Sequence, residues 1–274
     1  MTGRRRLGFI GYGTIAKLAL EALARAQSRP LDAVVCLARP EGVGRATALF
    51  ENCPALAREF RIVTDVEALA DAEPLLVAEA AGHEAVRAYA TALLAAGIDV
   101  LVTSTGALAD PDLRARVAEA EADRGARLSV CAGAIGGLDL LAAAKLAGIE
   151  EVLYTSRKPP NAWRNTPAEQ RLDLGTLAHE ACFYEGTADV AATDFPQNAN
   201  VAATVALVGA GFARTRVRLV ADPAVDRNIH ELHVKAACAE FDLRIAGRAA
   251  PDNPKTSLTT AFALAADLAD RLRA

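Results

Sequence analysis

Short, nearly continuous apolar runs alternate with longer stretches of helical spacing through the first half of this chain. RLGFI at 6–10 is followed by TIAKLALEALARA at 14–26, where Ile15, Leu18, Ala22 and Leu23 fall near one helical face. LDAVVCLA at 31–38, RIVTD, PLLVAEAA, DVLVTS and RLSVCAGA at 127–134 repeat the first kind of segment, and 83–96 and 110–124 repeat the second. Strands separated by helices of this length predict βαβ units and a parallel sheet, and unbroken apolar strands predict a sheet covered on both faces. After about residue 150 the pattern changes. EVLYTSRK, EACFYEG, RTRVRLVAD and NIHELHVKAACAEFDLRIAG follow with fewer helices between them, the last reading as a hairpin of alternating residues. Runs of strands after a βαβ region predict a second, α+β domain. SLTTAFALAADLADRLRA at 257–274 closes the chain as an alanine-rich amphipathic helix. The expected organisation is a dinucleotide-binding domain at 1–134, a substrate and dimerisation domain at 135–255, and a helix from 256 to 274 that returns to the first domain.

The dinucleotide in that reading comes from the first turn. Gly11, Gly13 and Ala16 form G-x-G-x-x-A between a strand and a helix. The first glycine permits the tight turn, the second lets backbone approach a pyrophosphate, and the small third residue lets helix pack on strand. The helix N-terminus adds amide donors and the positive end of a dipole. Between a convincing strand and helix, this motif favours a dinucleotide over a plain turn. A preference for NAD calls for an acidic residue at the end of the second strand. That strand ends CLARPEG, with Asp32 at its start and Arg39 where a 2′-phosphate would lie. Arg39 reads either as a solvated surface residue or as a sign that NADP is tolerated or preferred. Glu79 to His83 and Ser104 to Gly106 follow later strands and are candidate neighbours of a nicotinamide. CAGAIGGLD offers another close approach, with Ala134 between Gly133 and Ile135.

Composition narrows the class. The chain has 274 residues, 52% hydrophobic and 23% charged, enough for a substantial core. A net charge of −4 argues against general nucleic-acid binding. The five cysteines are far apart and form no CxxC pair, so free thiols in a reducing cytosol are expected and no metal site is. MTGRRRLGFIGYG does not read as a signal peptide and no stretch reads as a membrane span, so a soluble cytoplasmic protein is expected.

AGAIGGLDLLAAAK, YTSRKPPNAW, FYEGTADVAATDFPQNANVAATVAL, NIHELHV and NPKTS occur in this order. Together they resemble the L-aspartate dehydrogenase family, over nearly the whole chain. The resemblance implies a Rossmann domain plus a second α+β domain with a mixed sheet, similar to dihydrodipicolinate reductase, commonly in a homodimer. It implies NAD- or NADP-dependent oxidation of L-aspartate through iminosuccinate to oxaloacetate and ammonia, or the reverse, with iminosuccinate available for NAD biosynthesis. Carried over by position, the active-site histidine falls on His230, and cofactor contacts fall on Ala134 and Asn200.

The chemistry of such a reaction sets further expectations. Proton removal from nitrogen and water addition to an imine suit a neutral histidine. Of four histidines, His179 lies in LAHEA, read as helical and exposed, and His83 starts a helix. In NIHELHV, strand alternation puts His230 with Leu232 and Val234 on a covered face, and His233 with Glu231 on the wetter one. Two substrate carboxylates call for cations or hydroxyls, for which Arg157, Lys158, Lys255 and Thr256 are candidates. NPKTS reads equally as a helix entrance capped by Thr256 or Ser257. Trp163 covers a pocket or fills a core, and Asn198 and Asn200 cap a helix or touch a ligand. Two other functions fit a dinucleotide fold. One is reduction of another small dicarboxylate imine or aldehyde; the other is non-catalytic dinucleotide sensing.

Overall fold

The computed structural model describes residues 5–196, 199–250 and 253–273, with the side chains of 253–255 outside that description. The chain divides into two compact units, Met1–Cys131 with Thr260–Ala274, and Ala132–Thr259.

The first unit runs β1 Arg6–Ile10, α1 Thr14–Ala26, β2 Leu31–Leu37, α2 Val43–Glu51, β3 Ala57–Val63, α3 Val66–Asp71, β4 Leu76–Glu79, α4 His83–Ala95, β5 Val100–Val102, α5 Pro111–Arg124 and β6 Leu128–Val130. The strands form one parallel sheet in the order β3-β2-β1-β4-β5-β6. The order reverses between β1 and β4, and that switch point is where such sheets bind ligands beyond their strand ends. β4 and β5 are wholly buried, as their unbroken apolar sequence requires. On α1 the buried positions are Ala16, Ala19, Leu20 and Leu23. Ile15, Leu18 and Ala22 are half-exposed, so the packing face is rotated from the expected one. Alanines occupy it because the helix lies close against the sheet.

The second unit runs α6 Leu138–Ala147, β7 Ile149–Lys158, β8 Ala181–Thr187, α7 Ala188–Asp194, α8 Asn200–Val208, β9 Thr215–Ala221, β10 Ile229–Ala236, β11 Glu240–Ala246, β12 Ala249–Ala250 and β13 Asn253–Ser257. Five of these strands form a mixed sheet, β11-β10-β7-β9-β8, in which only β7 and β9 run parallel. α6 packs on β7 and β10, and α8 on β9. β10 and β11 make the hairpin read from the alternation, in register from Ile229↔Ala246 to Lys235↔Glu240. NPKTS forms the strand β13, paired with β12, and Ser257 immediately precedes the helix that begins at Leu258. One local reading is corrected. LAHEA is irregular, and His179 is exposed without a helix.

The last helix, α9, spans Leu258–Arg271. Leu264, Ala265, Leu268 and Leu272 join Leu7, Phe9, Leu20 and Leu23 in the core of the first unit. Phe262 of the same helix is 49% exposed. At about 100° per residue it lies far round the helix from Leu264.

Candidate active site

In the first unit, backbone geometry comes before chemistry. Gly11 has φ +113°, and a Cβ there would stand 2.6 Å from the Ala80 carbonyl oxygen, so strain and crowding both demand glycine. Gly13 is the opposite case. It has ordinary φ, and a Cβ there would meet nothing within 4 Å. That space lies at the N-terminus of α1, whose first turn carries no acidic residue. Ala16 is fully buried against the sheet. Gly11, Gly13, Tyr12, Arg39 and Arg45 line a cavity of about 540 Å³ with Ala80, from the loop after β4. A dinucleotide fits this donor set: free space at Gly13, amides at a helix start, and cations beyond β2.

A buried carboxylate fixes the cavity wall. Glu79, the last residue of β4, is 1% exposed. Its Oε1 accepts from the amides of Ala81 and Gly82, each at 2.7 Å, and from Ser104 Oγ at 2.8 Å. Its Oε2 accepts from Ser104 N at 3.1 Å. One side chain thus ties the loop after β4 to the loop after β5, and four charge-assisted bonds offset the cost of its burial.

The second unit places its chemistry by register. His230 lies opposite Ser156 in the β7–β10 ladder, and opposed residues share a face. Tyr154, Ser156 and Lys158 therefore stand on the His230 side, while Arg157 goes with Ile229 and Glu231. His230 is 6% exposed. Its Nδ1 is hydrogen-bonded to Tyr154 Oη at 2.7 Å, with the rings nearly parallel. Burial, and then the charge of Lys158, push the imidazole down to about 3, so it is neutral at physiological pH. Burial brings Lys158 down to about 8. Its Nζ lies 4.6 Å from the ring centroid of Trp163, whose Nε1 donates to the Val220 carbonyl. Burial pushes the Tyr154 phenol well above its ordinary value, against a hydrogen bond from Ser156, so it stays protonated.

Not every expected residue joins these groups. Arg157 does not join them: its guanidinium is held by Glu180, by Asp222 at 2.8 Å and by Glu231 at 3.4 Å, on the face opposite His230. Three carboxylates thus surround it. His233 faces the wetter side and pairs with Asp242 at 2.9 Å. Ala134 is buried in the turn after β6, and Asn200 is the exposed first residue of α8, with Ala199 at the cap position. Both lie in the second unit. Thr256 is half-buried in β13. The Lys255 side chain and Asn198 lie outside the described residues. Tyr154, Tyr12 and Arg45 were not singled out by the sequence reading. Only the alternation along YTSRK holds a signal for Tyr154, and it needs the β10 register to be used.

Comparison with known proteins agrees with this geometry. Residues 139–271 match the family described as aspartate dehydrogenase, C-terminal, and residues 11–130 match that described as homoserine dehydrogenase, NAD binding domain. An L-aspartate dehydrogenase of Ralstonia nicotianae is 44% identical over 270 residues, covering 98% of each chain. One of Pseudomonas aeruginosa is 38% identical over 265 residues, covering 97% of each. The crystal structure of aspartate dehydrogenase from Thermotoga maritima superposes with a TM-score of 0.73 at 26% identity, over 97% of this chain and 96% of that one. A myo-inositol 2-dehydrogenase of Lactobacillus plantarum, at 13% identity and a TM-score of 0.55 over 98% and 88%, shares the fold alone. A dinucleotide cradle, a mixed-sheet second unit and full-length similarity to these enzymes converge: the chain belongs to the L-aspartate dehydrogenase family.

Proposed function

We propose that this chain oxidises L-aspartate with NAD or NADP, through iminosuccinate to oxaloacetate and ammonia, or runs the reductive amination. The observation that carries this reading is the group of buried Tyr154 and His230 with half-buried Lys158 on one face of the second sheet. In it a neutral base stands beside a cation, as oxidation of a dicarboxylic amino acid requires. Gly11, Gly13, Ala16 and Arg39 hold the dinucleotide in the first unit, and Ala134 and Asn200 contribute from the second. When bound, the oxidised nicotinamide accepts a hydride from the substrate Cα.

The chain's own residues handle charge and protons. Lys158 receives a substrate carboxylate and, added to burial, its charge favours neutral His230 in the free enzyme. Lys255 and Thr256 are further candidates for the second carboxylate. With its proton on Nδ1 and shared with Tyr154, His230 offers the Nε2 lone pair. A bound dicarboxylate offsets the Lys158 charge and raises the proton affinity of the imidazole, so the base strengthens as substrate arrives. His230 then takes a proton from the water that attacks the imine carbon and returns one to the departing nitrogen.

Steady-state kinetics test the assignment. Aspartate should reduce the cofactor where other amino acids do not. His230→Ala should lower turnover by about a hundredfold or more with cofactor binding retained. His233→Ala should keep most activity, because that ring is paired with Asp242. Near-full turnover in His230→Ala would remove the histidine from the chemistry.

The resemblance also supports a homodimer built on the second unit, with iminosuccinate passed to NAD biosynthesis in the cytoplasm. Leu146 on α6 is 91% exposed, and Leu140 on α6 and Val190 on α7 are exposed as well. Light scattering should give twice the 28.6 kDa of the chain. Leu146→Glu should shift it toward the single-chain mass; an unchanged mass would move the interface elsewhere. No helix among the described residues is long and apolar enough to cross a membrane.

A further inference from the structure

We infer that Arg39 and Arg45, braced by Tyr12, form a subsite for a phosphomonoester on the adenine ribose, so that this chain prefers NADP to NAD. The inference rests on the cavity at Gly13 being the dinucleotide site. β2 ends at Leu37, and the residues that follow place no lone carboxylate where ribose hydroxyls would be held. Two arginines line the cavity instead. Arg39 hydrogen-bonds to the Tyr12 phenol. The Arg45 guanidinium lies 5.0 Å from the centroid of the same ring. Tyr12 reaches both because Gly42 leaves it room: a Cβ at Gly42 would stand 1.9 Å from the Tyr12 oxygen. The glycine loop is thus linked through one aromatic ring to two cations, Arg39 directly before Pro40–Gly42 and Arg45 three residues after it in α2.

The neighbouring carboxylates do not compensate these charges toward NAD. Glu41 engages Arg39 through Nε at 3.2 Å, one of the guanidinium's three nitrogens. Glu84, which also lines the cavity, pairs with Arg87 at 2.5 Å. The Arg39 side chain is 71% exposed, so a phosphate reaches it without desolvating a buried charge. Two guanidinium groups at one oxyanion supply charge-assisted bonds that an unphosphorylated ribose cannot return.

The test is direct binding, read by nicotinamide fluorescence on titrating the full chain with NADPH and with NADH. Wild type should bind NADPH more tightly by about tenfold or more. Arg39→Ala and Arg45→Ala should each weaken NADPH by about tenfold and leave NADH within about threefold, with Arg45→Lys intermediate. Thermal melts of each variant confirm the fold. 2′,5′-ADP should displace NADPH where 5′-AMP does not. NADH binding at least as tightly as NADPH, or equal weakening of both nucleotides in the alanine variants, overturns the inference alone. Failure of either nucleotide to bind wild type overturns the cavity assignment with it.

Discussion

Burial beside His230 leaves the Lys158 ammonium charged at neutral pH and discharges it as pH rises through about 8. A dianionic substrate favours the protonated form, so the affinity of the free enzyme for dicarboxylate should fall above that value. The KM for aspartate should climb by up to about tenfold per pH unit beyond it. Lys158→Met should have a high KM at all pH values and lose the slope, and comparing the two proteins removes the titration of aspartate itself. A slope identical in both would separate Lys158 from the substrate. The same burial explains why two adjacent basic residues of one strand have different fates. Lys158 shares a face with His230 and Trp163, whereas Arg157 points to the other face and meets three carboxylates.

At the scale of single elements, the turn from β1 to α1 makes the clearest prediction. Gly13→Val places a branched side chain in space that the protein itself leaves open. The fold should survive and dinucleotide affinity should collapse, whereas Gly11 is needed by the fold itself. Fluorescence titration and a thermal melt read both halves; unchanged affinity in a folded variant would make the loop a plain turn. This turn was legible in the sequence because its geometry is local: three small residues between a strand and a helix. The hairpin of β10 and β11 was legible for the same reason, and it placed His230 on the covered side. What the sequence left open depends on long-range pairing. Choosing Lys158 over Arg157 requires knowing that Ser156 stands opposite His230, a register set between strands more than seventy residues apart. Tyr154 is hidden for the same reason.

For the whole molecule, the return of α9 to the first unit carries the largest energetic claim. Leu264 and Leu268 are completely buried there, and Leu272 nearly so. Ending the chain after Ser257 should cost about 5 kcal/mol or more, at roughly 2 kcal/mol per leucine, comparable with the stability of a typical domain. The shortened protein should bind apolar dye, melt early and lose dinucleotide affinity. Unaltered melting and affinity would show that α9 is dispensable.

That return also sets an order of events during translation. Residues 6–130 leave the ribosome before the rest of the fold, at about 5–20 residues per second, yet one wall of their core comes from α9, which follows only after the whole second unit. The intervening unit, Ala132–Thr259, is continuous in sequence and complete before that wall emerges. The half made first is therefore finished last. A nascent chain carries the apolar surface around Leu7, Phe9 and Leu20 uncovered until α9 emerges, and it is in that interval that chaperones have the most to hold.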